Sequence, residues 1–268
     1  PSHLGLSLFG MSIVLASSCF SEPWPPPSGD SVFQGLLLHF PETAVKGVVF
    51  EKGRTELHAL FVSLSTNATI AGIDVRADGD AKRALRLVPF DELDYSIAPE
   101  LIPPDFYKPG GRYVFSASVA GDLYEATIRA PAWTDNLDFD PDEAAVSEAY
   151  PTMKKHPRAE ELRLRWPQEL GERALVSVVR GVVSSTLTPQ IVYHEPGYML
   201  GPTFSQVAGQ APRTTLEIPG SVFAEDGPYV VTVTTFESQP EAARSGTSWS
   251  LVVGHASSVT LAVGGYVP

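Results

Sequence analysis

Four residue groups in this 268-residue chain could do chemistry. A thiol is available only at Cys19, the single cysteine, so neither an intrachain disulfide nor a Cys-based zinc site can form. Six imidazoles, His3, His39, His58, His156, His194 and His255, are spread singly, without the i, i+4 spacing that puts two metal ligands on one helix face. Only the fold could gather them. The acidic run "DNLDFDPDE" places Asp138, Asp140 and Asp142 at alternate positions, the opening of a calcium loop. An EF-hand then needs Gly at the sixth position and Glu at the twelfth. Glu143 and Ala149 stand there, which excludes that motif and leaves either a calcium ion stiffening a domain junction or a solvated acidic linker. The fourth group is aromatic. "YHEPGYMLGP" (193–202) is a Gly/Pro-rich loop carrying Tyr193, His194, Tyr198 and Met199, and loops on a rigid scaffold are where binding evolves. It is the candidate contact surface, against the plainer reading that its tyrosines cover the core. Trp24 and Trp133 could stack on sugar rings, whereas Trp166 and Trp249 sit in alternating stretches and belong to cores. Ser248 lies in "SGTSWS", which lacks the final Gly of a nucleophile elbow. No phosphate-binding glycine motif appears, and no pair among 31 acidic residues stands out as a glycosidase dyad. The chain is therefore not expected to be an enzyme.

The bulk composition agrees. A formal charge of −12 repels nucleic acid and anionic lipid, and 43% apolar residues suffice for buried cores. Twenty-four prolines and 22 glycines suit turns between short strands better than helices. Residues 4–16 are apolar, about the length of a signal-peptide core and too short for a bilayer span. Ala16, Ser17 and Ser18 then lead into Cys19, and "SEPWPPPSGD" (21–30) follows as a proline-rich tether. This arrangement resembles the lipobox of bacterial lipoproteins, with Leu15 one position earlier than that family places it and Ala16 in its stead. The resemblance implies export, acylation of Cys19 and anchoring to a membrane in the periplasm or at the cell surface. The competing reading is a buried apolar segment with a core cysteine.

Elements that could position these groups read as strands. In "RYVFSASVAGDLYEATIRA" (112–130), Tyr113, Phe115, Ala117 and Val119 alternate with smaller or polar residues, and Gly121-Asp122 is the expected hairpin turn. "ELRLRW" (161–166) alternates Leu162, Leu164 and Trp166 with charges. "ALVSVVRGVVSS", "YVVTVTTF", "WSLVVG" and "VTLAV" continue the period of two with β-branched residues. Only "PDEAAVSEAY" (141–150) suggests a short helix. A G-x-Y-V motif opens a strand at Gly111–Val114 and again at Gly227–Val230, roughly one sandwich length apart. The expected organisation is a leader and tether (1–29), a first β-sandwich (30–131), an acidic linker (132–157) and a second β-sandwich (158–268).

The second unit resembles immunoglobulin-like and fibronectin type III sandwiches. "ELRLRWP" is similar to that family's B strand, with Trp166 in the core. "LEIPGSVFAEDGPYVVTV" is similar to its E strand, E–F corner and F strand, with Tyr229 as the corner tyrosine and Tyr113 as its counterpart in the first unit. The resemblance implies an all-β protein of two tandem Ig/FnIII-like sandwiches. Its expected role is that of a non-catalytic binding or scaffold protein of the bacterial cell envelope, meeting a protein or glycan partner and no nucleic acid. Alternatives are a subunit of a surface assembly, in which case it is an oligomer, and an accessory glycan-binding module of a hydrolase. No cofactor is expected apart from calcium at Asp138, Asp140 and Asp142.

Overall fold

The computed structural model describes residues 32–41, 56–66, 68–89, 94–98, 101–132, 138–139, 145–147, 150–168, 171, 173–181, 190–195, 211–238, 240–243 and 248–266. Cys19, the tether, Trp24, Trp133, Asp140, Asp142, Tyr198 and Met199 lie outside them. In chain order the first unit supplies β1 (Val32–Pro41), β2 (Glu56–Ser65), β3 (Ile70–Ala77), β4 (Leu85–Pro89), β5 (Asp94–Ser96), β6 (Arg112–Val119) and β7 (Asp122–Arg129). The second supplies β8 (Asp138–Phe139), β9 (Ala145–Ser147), β10 (Tyr150–His156), β11 (Leu162–Arg165), β12 (Arg173–Arg180), β13 (Gln190–Glu195), β14 (Thr215–Ile218), β15 (Gly227–Glu237), β16 (Ala242–Ala243) and β17 (Ser248–Val263). The protein is all-β.

Each unit packs two layers of strands face to face, and in the first unit the layers are joined where β5 pairs with β4 as well as with β2. In the first, β5-β2-β1 faces β4-β3-β6-β7; in the second, β14-β11-β8 faces β13-β12-β15-β17-β10. Strand by strand this is one order used twice, the E-B-A layer over the C′-C-F-G layer of an immunoglobulin-type sandwich. Alternation dictates the packing. β11 buries Leu162 and Leu164 and exposes Arg163 and Arg165, and β12 buries Ala174, Val176 and Val178. Trp166 is buried as expected, and its indole N–H donates to the Gly171 carbonyl at 3.1 Å.

"WSLVVG" and "VTLAV" are not two strands. They form the single 16-residue β17, which pairs in parallel with β1 over 248–255 and antiparallel with β15 over 253–263. Because side chains alternate with a period of two, one face of β17 carries Trp249, Leu251 and Val253 into the first core and Val259, Leu261 and Val263 into the second. Both cores thus lie on the same face of one continuous sheet. On its opposite face Leu36, Leu38, Phe61, Val252 and Phe236 form a third buried cluster. Just before β17, the short β16 pairs with β7, and Glu241 bridges Arg112 and Arg129 at 2.7 and 2.9 Å. A connection between the F and G strands of the second unit therefore adds a strand to each sheet of the first.

Other expectations shift in detail. The β6–β7 turn is Ala120-Gly121, since Val119 pairs with Asp122 and both turn residues have positive φ, 52° and 91°. That is the primed turn matching strand twist, with glycine second. Ala145–Ser147, in the stretch read as a helix, is strand β9 and pairs with β10. Within the expected linker, β8 pairs with β11 and β10 with β17, so this segment supplies the first strands of the second sandwich.

Candidate functional site

Each sandwich carries a ring ladder rooted in its corner tyrosine. Tyr113 and Tyr229 are both 1% exposed at the start of equivalent strands. Tyr229 donates its hydroxyl to the Glu225 carbonyl at 3.0 Å. Tyr113 accepts from the Lys108 backbone N–H at 2.6 Å and donates to the Phe106 carbonyl at 3.2 Å. In the second unit, Phe223 from the 3-10 turn Gly220–Phe223 packs edge-on against Tyr229, and His156 packs edge-on against Phe223. In the first, Tyr107 stacks near Tyr113 with centroids 5.9 Å apart, and His39 stacks on Tyr107 at 4.7 Å. His39 lies on β1 and His156 on β10, two strands that each pair in parallel with part of β17. The ladders then diverge. His156 Nε2 meets the Glu160 carbonyl at 3.0 Å, whereas His39 meets two more histidines.

That histidine cluster follows from register alone. His39 pairs with His58 across β1–β2 and with His255 across β1–β17, so the three project from adjacent strands on the same face. His39 Nδ1 and His255 Nδ1 are 2.7 Å apart, one donating and the other accepting. Their exposures are 7% for His39 and 1% each for His58 and His255. Burial lowers the His39 pKa to about 4; burial and then the neighbouring His39 lower that of His255 to about 2. Burial also pushes the Tyr107 phenol well above its ordinary value, and its hydroxyl has no hydrogen-bond partner among the described residues. His39, His255 and Tyr107 are thus uncharged at neutral pH. Among the described residues no group of three His, Cys, Asp or Glu is arranged to hold a metal ion, and the two Nδ1 atoms that converge here bind each other. Scattered singly in sequence, these histidines gave no local signal of meeting.

The contact surface read from 193–202 begins on a strand. Tyr193 and His194 belong to β13, because "QIVYHE" continues the strand through Glu195. Tyr193 packs against the second core, and its hydroxyl donates to Glu195 Oε2 at 2.5 Å. Glu195 also accepts from Arg213, which reaches the Ala174 carbonyl as well. Burial first, and Glu195 second, push the Tyr193 phenol up, so it serves as a neutral donor. Tyr198 and Met199 cannot be placed beside it, being outside the described residues. Asp138 is placed on β8 opposite Arg165, so the alternating acidic run starts on a strand and not in a loop. Ser248 opens β17, and Trp249 stacks on Phe33 at 4.4 Å inside the first core. No helix of the described residues is long and apolar enough to cross a membrane.

No family model matches the sequence. No curated protein matches it either. Among solved structures, a similar chain is the crystal structure of chicken CNTN1 FN1-FN3 domains, 10% identical, with 77% of this chain and 62% of that one covered and a TM-score of 0.20. The chain thus spans less than two thirds of that structure's length. The fold assignment rests on strand pairing, not on this similarity.

Proposed function

We propose that this chain is a non-catalytic scaffold of the bacterial cell envelope, anchored through an acylated Cys19 and offering its second sandwich to a protein or glycan partner in the periplasm or at the cell surface. The observation that supports this reading is the shared strand. β17 completes both cores and β16 docks on β7, which ties the two sandwiches together as a presenting device requires. The polar groups of the β13 edge, Tyr193, Glu195 and Arg213, are engaged with one another, an arrangement that supplies a shaped surface and no poised nucleophile. β13 ends the long sheet among the described residues, and a sheet's end is where an extended partner can add a strand.

The test combines anchoring and contact in the native envelope. Cys19→Ser should move the protein from the membrane to the soluble fraction, and a photo-crosslinking residue at Gln190 should capture a partner that the same residue at Lys82 does not. Unchanged membrane retention in Cys19→Ser would remove the anchor from the proposal. Equal capture at both positions would remove the β13 edge. Filaments that vanish when residues 1–30 are deleted would replace the scaffold by an assembly subunit.

A further inference from the structure

We infer that the seam between β1 and the first half of β17 is a proton-operated latch: the buried His39–His255 pair holds it shut while neutral, and taking up two protons opens it. The count of protons carries this inference. Two Nδ1 atoms 2.7 Å apart can share only one hydrogen, whichever ring donates it. A first added proton fits on the outer nitrogen of the donor ring, leaving the contact intact but burying a charge. A second must go to the acceptor's Nδ1 and sets N–H against N–H. The doubly charged pair therefore cannot keep this geometry.

Burial disfavours these charges and is the largest cause lowering the pKa of both rings. From β2, His58 packs against His39 with centroids 5.0 Å apart; from the loop before β6, Tyr107 stacks on His39 and lies 5.9 Å from His255, with Tyr113 behind it. From β15, the uncharged Thr235 stands opposite His255 in the register. The tyrosines stay neutral in acid. The latch also sits where it has leverage. Residues 248–255 pair in parallel with β1, and Trp249, Leu251 and Val253 enter the first core from this stretch. Opening it exposes those side chains and one edge of β1.

The direction follows from linkage. Both rings titrate lower in the closed protein than the value near 6.5 of an exposed histidine, so the open form binds more protons. Closure is at full strength above about pH 6.5 and weakens as pH falls towards 4. Glu241, held below the usual carboxylate range by Arg129 and then Arg112, stays ionised in that window and keeps β16 docked.

Amide hydrogen exchange of the full chain at pH 7 and pH 5, corrected for intrinsic rates, tests this. For residues 248–255 the opening constant should rise several hundredfold, on the order of 25-fold per histidine, while residues 174–178 in the β12–β15 pairing stay unchanged. In His255→Asn, whose amide can occupy the Nδ1 position, the rise should shrink to about 25-fold, and in His39→Asn/His255→Asn it should vanish. A flat wild-type response, or a rise that survives the double substitution, overturns the latch. If the double variant does not fold, imidazole titration of the wild type by NMR decides: silence of both rings down to pH 5 upholds it, and a ring titrating near 6.5 in the closed protein overturns it.

Discussion

The two ring ladders start alike and end differently. Tyr229, Phe223 and His156 stop at a backbone carbonyl, all within residues of the second sandwich. Tyr113, Tyr107 and His39 continue to His255, contributed by a strand whose other half belongs to the second core. One sandwich closes with its own strands; the other is closed from outside. A duplicated strand order is therefore closed in two ways: the second core is built from residues of its own unit, while the first also takes side chains from β17. Space at the joint is tight. A Cβ on Gly35 would approach the Leu251 and Phe115 side chains to 2.8 Å, so any larger residue there would force them to shift.

The largest effect should come from removing the borrowed side chain. Trp249→Ala should cost the first unit about 3–5 kcal/mol, read as lost exchange protection in β3 and β6, with β12 and β15 less affected. Equal losses in both units would mean that they share a single cooperative core. The corner hydroxyls should come next. Tyr113→Phe strands the Lys108 N–H and should cost about 1–3 kcal/mol in urea unfolding, whereas Tyr229→Phe removes a single donated bond at about 0.5–1.5 kcal/mol. A reversed order would make the second corner the stronger one. Smallest should be Glu241→Gln, which weakens two exposed ion pairs and should cost below about 1 kcal/mol, less in high salt. The Glu241 carboxylate has a lowered pKa, so its contribution is full above about pH 4.5 and fades as pH drops through the lowered value.

What could be read from the sequence was local. Strand alternation, the buried Trp166 and both buried tyrosines rest on residues within a dozen positions of one another. The histidine cluster rests on parallel pairing between segments some two hundred residues apart, for which local periodicity has no sign. One clue was present. Trp249, Leu251, Val253, Val259, Leu261 and Val263 keep a single phase across "GHASS", so an unbroken strand was readable where Gly254 and the serines suggested a gap. Tyr193 and His194 were assigned to a loop because Pro and Gly follow them, although β13 runs on to Glu195 before those residues begin.

The place of β17 along the chain also sets a schedule. When the ribosome has made β7, every strand native to the first sandwich exists, yet Trp249, Leu251 and Val253 are still to come. Throughout that interval the first core lacks these three side chains, which arrive only with β17. A chain built this way completes its first core only once the last strand of its second has been made.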